Sequence, residues 1–204
     1  MSDRKPHALV WIDTETTAID PADGQLLEIG VNATPLDDPD TAIYCYQTPI
    51  WQRCINLNSD TAGAIRMHMS NGLIDECLDA GGHATNITDV FEILDTDLAM
   101  LAEKWVLHPA GTNPDFDVDW IKHTHATTYI TPTARTSHRI WQHFNHRKLD
   151  MTAIRLSLQP LGINLLDPKV HDTQHRVANC INRDLHEYRM WRRWLDNHHD
   201  GNQP

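Results

Sequence analysis

In "HALVWIDTETTAID", positions 7 to 20, the apolar run Leu9, Val10, Trp11 and Ile12 leads into Asp13 and Glu15, two carboxylates one residue apart. In an extended chain, side chains two apart project from one face. Two acids aimed at one place repel each other unless a cation or a proton lies between them. Spacing alone leaves two readings open. One is a divalent-cation site; the other is a turn in which Asp13 is structural and Glu15 is solvated or caps a helix. The apolar run favours the first, because it puts the pair at the end of a buried strand, where α/β sites gather. "TNPDFDVDW" offers three further acids, Asp115, Asp117 and Asp119. Each of these also reads as a first-turn charge complementing a helix dipole.

The elements that must position these acids follow from periodicity and turn residues. "ALVWID" reads as a strand and "GQLLEIGVNAT" as a second, with Asp23-Gly24 turning the chain between them. "TAIYCYQTP" makes a third, and the short connections predict an antiparallel meander. Two short helices broken near Asn71-Gly72 come next, then a helix over 86–106 capped by Asn86 or Thr88. "HPAGTN" is a short strand and turn, and "PDFDVDWIKHTH" is a helix with Pro114 in its first turn. Positions 146–151 suggest a last strand, followed by the helix "TAIRLSLQPLG" and a long helix over 175–198. Positions 127–139 show no pattern and read as loop or irregular helix. The expected fold is α/β: a mixed five-stranded sheet, three antiparallel strands then two parallel, flanked by helices. The 204 residues are expected to form one domain with its core over about 7–197.

Composition narrows the function classes. Apolar residues at 40% and charged residues at 22% are the usual mix of a soluble protein. The sequence shows no membrane span or signal peptide, and a cytoplasmic location is expected. Cys45, Cys54, Cys77 and Cys180 form no CxxC pair, which leaves four reduced thiols as the expectation. A net charge of -11 argues against sliding along a duplex and leaves a small substrate or a strand end. In the C-terminal "MWRRWLDNHHDG", Trp and Arg either stack on nucleic acid or form a core face with a charged rim; the second is favoured.

"VWIDTETTAIDP" resembles the first motif of the DEDDh 3'-5' exonucleases, the proofreading, RNase T and oligoribonuclease group, written Asp-x-Glu-Thr-Thr-Gly-Leu. "GTNPDFDVDWI" resembles their second motif, which assigns the functional acid to Asp117 behind Phe116 and leaves Asp115 and Asp119 as surface charges. "DTQHRVANCINRDL" echoes the third. "IRMHMSNGL" and "HRKLDMTAIR" are similar to oligoribonuclease stretches, and the likeness runs over roughly positions 8 to 197. The resemblance implies an RNase H-like fold and hydrolysis of short or single-stranded RNA or DNA from the 3' end to nucleoside 5'-monophosphates. It implies two divalent ions, Mg²⁺ or Mn²⁺, held by Asp13, Glu15, Asp117 and a fourth acid, with His175 as the general base. Thr16, Ala18, Ile19, His68, Asn113 and Arg147 fall at substrate-binding positions. The arginine matched by Arg147 comes from a partner subunit, so a homodimer is one implied arrangement.

The pattern breaks at the fourth acid. Five residues beyond His175 stands Cys180, and the next acid along, Asp184, is a helical turn away. A turn advances about 5.4 Å, too far for Asp184 to substitute without a changed register. A free cysteine, with a pKa of about 8.5, is mostly a neutral thiol and its soft sulfur suits Mg²⁺ poorly. Cys180 therefore reads either as a ligand at the acid's place or as an inert buried thiol, and the chain either as a weakened exonuclease or as a silent module that holds 3' ends or a protein partner. Ala18 stands where the family has glycine, Gly63 where oligoribonucleases have a stacking tryptophan, and His146 where they have tyrosine.

Overall fold

In the computed structural model, which describes residues 5–79, 81–131, 133–164 and 174–199, the apolar run is the central strand. β1 (His7–Thr16) is buried along most of its length. Its sequence lacks polar alternation because a strand covered on both faces reads as continuous apolar residues. β2 (Leu26–Pro35) pairs antiparallel with β1, and β3 (Tyr44–Pro49) antiparallel with β2. On the other side β4 (Val106–Gly111) runs parallel to β1, and the two-residue β5 (Leu149–Asp150) parallel to β4. The strand order is β3-β2-β1-β4-β5, and the mixed five-stranded sheet is the one that the sequence predicts.

The helices start and stop where local chemistry directs. α1 (Ala62–Ser70) and α2 (Leu73–Leu78) are separated at Asn71-Gly72, where Gly72 takes a φ of 83°. The Asn86 side chain accepts a hydrogen bond from the Thr88 amide and caps α3 (Ile87–Lys104). α4 (Pro114–Thr128) begins at the proline, whose missing N–H is harmless there. Asp150 caps α5 (Met151–Leu158) through the Thr152 amide at 2.8 Å. α6 (Val177–His199) is the longest helix of the described residues. The patternless stretch holds the last turn of α4 and a 3-10 turn at Ala134–Thr136; a second such turn follows at Ile140–His143.

Two layers of helix cover the sheet. Ala8, Val10 and Ile12 of β1 pack with Phe91 and Leu94 of α3 and Trp120 and Ile121 of α4. Leu9 and Trp11, pointing the other way, pack with Met151 and Ile154 of α5 and Ile181, Leu185 and Tyr188 of α6. Trp11 is fully buried, and its indole N–H donates to the Thr34 hydroxyl at 3.1 Å. Truncating a buried side chain of this size costs about 3–5 kcal/mol. Near the C-terminus Trp191 and Trp194 pack against this second cluster, while Arg192 donates to the Leu36 carbonyl. That segment is a core face with a charged rim, the arrangement that helical spacing favours.

Candidate metal centre

β1 outruns its parallel neighbour. Pairing with β4 extends from His7 to Trp11, whereas pairing with β2 continues to Thr16. Gly111 turns β4 away with a φ of 149°, and a Cβ there would stand 2.9 Å from the Ile12 carbonyl oxygen. Past Trp11 the strand has no pairing on its β4 side, and Asp13 and Glu15 occur in that stretch. By alternation they share the face of Leu9 and Trp11, which is the face that α6 covers.

α6 brings position 180 to the same point. Asp13, Glu15 and Cys180 each offer one ligand atom, and these atoms lie within 4.8 Å of one another. The Cys180 Sγ is 3.9 Å from Oε1 of Glu15, to which the thiol donates. Close approach of the helix depends on Gly30, the residue opposite Asp13 on β2: a Cβ there would meet Val177 at 2.8 Å. The start of α6 is anchored by Arg176, whose guanidinium holds both oxygens of buried Glu28 at 2.8–3.1 Å and also reaches Glu76. Glu28 in turn accepts from the Val177 amide and lies opposite Glu15 in the β1–β2 register.

Asp117, from the first turn of α4, enters from the other layer. Its Oδ1 accepts two hydrogen bonds from Thr14, one from the amide and one from the hydroxyl, both at 2.8 Å. Burial first, and then the charges of Asp117 and Glu15, push the Asp13 carboxyl well above its ordinary range. Glu15 is pushed up to about 8 by burial, aided by Glu28 and Asp117. Asp117 is pushed up to about 7 by burial, against the lowering effect of the Thr14 bonds. Burial and the two neighbouring acids also push the Cys180 thiol up, so it stays neutral at pH 7. Among the described residues, the fully buried Oδ2 of Asp13 has no hydrogen-bond partner. Acids that resist ionising side by side, one of them with an unsatisfied buried oxygen, are satisfied by a cation. The residues fit a divalent ion held by Asp13 and Glu15, with Asp117 beside them and a sulfur in place of a fourth carboxylate.

Asp184 has another task. It is buried, accepts from Thr112 at 2.8 Å, and is paired with Arg155 at 2.8 Å and Arg183 at 3.0 Å. Its charge is felt at Asp13 and Asp117, but its own partners neutralise it. Arg155 also binds Glu187 at 2.7 Å, which joins α5 to α6.

The remaining expected residues fall around this cluster. His175 is exposed, with a positive φ of 45°, and its carbonyl accepts from the Asn71 side chain at 3.0 Å. It lies within electrostatic reach of His68, whose ring is fully buried with Nε2 3.6 Å from Glu15. Burial pushes His68 down to about 4, so it is neutral at pH 7, and its Nε2 also lies 3.3 Å from the Thr16 carbonyl oxygen. Thr16 donates to the Ala18 carbonyl at 2.9 Å, and Ile19 is 87% exposed. Asn113 is exposed in a left-handed conformation, its amide donating to Asp150 at 3.1 Å. Arg147 is exposed just before β5, with its carbonyl bonded to His108. Asp115 and Asp119 pair with Lys148 and Lys122 on the surface. Sequence reasoning passed over Thr14, Glu28, Gly30, Asn71 and Arg176. Of these, Thr14, Asn71 and Arg176 lie inside the motif-like stretches, whereas nothing in the sequence marked Glu28 or Gly30.

No family model matches the chain, and no curated protein matches it. Solved structures do. The zinc-bound form of an exonuclease I–single-stranded DNA complex from E. coli superposes with a TM-score of 0.64 at 13% identity, covering 96% of this chain and 42% of that one. A moderately thermophilic exonuclease I from Methylocaldum szegediense gives 0.61 at 14% identity, over 92% of this chain and 40% of its own. E. coli exonuclease I with a dA16 oligonucleotide gives 0.60 at 15%, over 94% and 42%. The chain thus spans less than half the length of each. No helix of the described residues is long and apolar enough to cross a membrane. At these identities the likeness establishes architecture alone: the chain shares its mixed α/β fold with exonuclease I.

Proposed function

We propose that this chain is a metal-dependent 3'-5' exonuclease that hydrolyses short or single-stranded RNA or DNA to nucleoside 5'-monophosphates. One observation carries the reading. Asp13 and Glu15 on β1, Asp117 on α4 and position 180 on α6, far apart along the chain, converge near the C-terminal end of β1. Asp13, Glu15 and Asp117 are the residues to hold two divalent ions, Mg²⁺ or Mn²⁺, which when bound supply charge stabilisation to the attacking and leaving oxygens of an in-line displacement.

The protein's own groups do the rest. Thr14 fixes Asp117, and the Arg176–Glu28 pair fixes the start of α6 and with it Cys180. Neutral His68 fills the interior behind Glu15. Exposed His175 accepts the proton of the attacking water, its backbone held by the Asn71 side chain. Ile19 offers an apolar surface to the terminal base, with Thr16 and Ala18 shaping the backbone beside it. Asn113 and Arg147 present polar groups to the sugar-phosphate, Arg147 across a homodimer. The net charge of -11 suits a protein that grips a strand end rather than a duplex.

The test is incubation with short RNA and DNA labelled at the 5' or the 3' end, with Mg²⁺ or Mn²⁺. The expected result is stepwise shortening from the 3' end, lost in His175→Ala. Cleavage within the strand would overturn the reading. A second reading, a module that binds 3' ends without turnover, is favoured by the neutral thiol of Cys180 at the fourth ligand place. Binding of labelled strands with no shortening under any metal selects it.

A further inference from the structure

The donor set of this site contains a sulfur, and sulfur changes which ion it prefers. We propose that Asp13, Glu15 and Cys180 form a site for a thiophilic divalent ion of the zinc class, taken in preference to Mg²⁺. The inference rests on the same acid cluster as the nuclease reading, but on its binding properties and not on its reaction.

Three features support it. The spacing is right: Sγ of Cys180 lies 3.9 Å from Glu15 Oε1, and all three ligand atoms are within 4.8 Å of each other. A tetrahedral ion with bonds of ~2.3 Å to sulfur and ~2.1 Å to oxygen holds those two atoms about 3.6 Å apart. Independently, Asp13 Oδ2 is buried with no hydrogen-bond partner among the described residues. Finally, the chemistry discriminates. Thiolate ligands select Zn²⁺ and its relatives, whereas Mg²⁺ gains little from sulfur and asks for an octahedron of oxygens. On binding, the S–H bond of Cys180 breaks, a sulfur–metal bond forms, and the thiol proton leaves to the buffer together with any protons still held by Asp13 and Glu15. Two carboxylates and a thiolate then surround the dication. A zinc-class ion at this point occupies the carboxylates that Mg²⁺ needs, so it competes with Mg²⁺ for the site.

Cys45 and Cys54 are exposed, so the experiment starts from the C45S/C54S protein freed of metal. Cd²⁺ is titrated in while the ultraviolet sulfur-to-cadmium charge-transfer band is followed, and Zn²⁺ or Mg²⁺ is then added in competition. The expected result is a band that saturates at a single equivalent, is abolished by Zn²⁺, and survives a large excess of Mg²⁺. Cys180→Ser should lose the band and bind Cd²⁺ more weakly by at least the ~10–100-fold that loss of an outer-shell partner costs. Cys180→Asp should lose the band too, with circular dichroism checking the fold of both variants. No band in the parent protein, a band that persists without Cys180, or displacement by Mg²⁺ as readily as by Zn²⁺ would each overturn the proposal. A band on Cd²⁺ addition, with no nuclease activity when Mg²⁺ or Mn²⁺ is supplied in the absence of zinc-class ions, leaves it standing and removes the exonuclease reading; activity without a band does the reverse.

Discussion

Both donors of Thr14, its amide and its hydroxyl, reach the same oxygen of Asp117 at 2.8 Å. Asp117 is thereby tied to β1, the strand that carries the other two acids, and its position relative to them is set by one residue. Helix α4 delivers the carboxylate; Thr14 decides where it rests.

Thr14→Val keeps the amide bond and removes the hydroxyl. Leaving a buried acceptor with one donor fewer should lower stability by roughly 1–3 kcal/mol. The Thr14 bonds lower the Asp117 pKa, so the variant should hold its proton beyond the present value of about 7. Mn²⁺ affinity at pH 7 should fall about 10–100-fold, with part of the loss recovered in more alkaline buffer. Calorimetric titration at two pH values checks this; an unchanged affinity would show that Thr14 does not position the acid.

Stability of the metal-free protein should fall as pH rises. Glu15, at about 8, and Asp117, at about 7, lie above their ordinary values of 4.5 and 3.8, and Asp13 is also raised. The folded state therefore keeps protons that the unfolded chain releases, and the stability they contribute is complete in acid and lost as pH climbs through about 7 to 8. His68, lowered from 6.5 to about 4, acts in the opposite sense as pH falls below 6.5, one group against three. The melting temperature without metal should decline from about pH 5 to 8, and added Mn²⁺ should raise it most at the alkaline end. A metal-free profile that rises over that range would contradict the electrostatics of the cluster.

Cys180→Asp supplies a hard oxygen ligand where the thiol is neutral. If the rest of the site is competent, turnover of a short single strand with Mg²⁺ should increase at least tenfold, the lower end of what a metal-site partner contributes (~10–100-fold). Activity equal to that of the parent chain would favour the silent binding module.

Arg176→Ala should destabilise the fold by about 3–5 kcal/mol, because it leaves Glu28 buried without its ion partner. Arg176→Lys should recover only part of this, since an ammonium cannot span both carboxylate oxygens as the guanidinium does. Denaturant titration of the two variants measures the difference; equal stability of wild type and Arg176→Ala would show that the start of α6 is held by packing alone.

The sequence by itself determined the main strands and helices and the mixed direction of the sheet, because the period-2 and helical patterns, the turn at Asp23-Gly24, the cap at Asn86 and Pro114 in its helix's first turn are local. It also determined that Asp13 and Glu15 share a face, since alternation along a strand needs no knowledge of neighbours. Only the tertiary structure decided that this is the face under α6, that Cys180 and not Asp184 meets the acids, and that His68 lies sealed behind Glu15. It alone paired Thr14 with Asp117 and Arg176 with Glu28, contacts that cross 103 and 148 residues of chain. Such contacts depend on how deeply a helix settles on the sheet, and that depth is set by the space above Gly30 and by buried charges seeking partners, which no local pattern records.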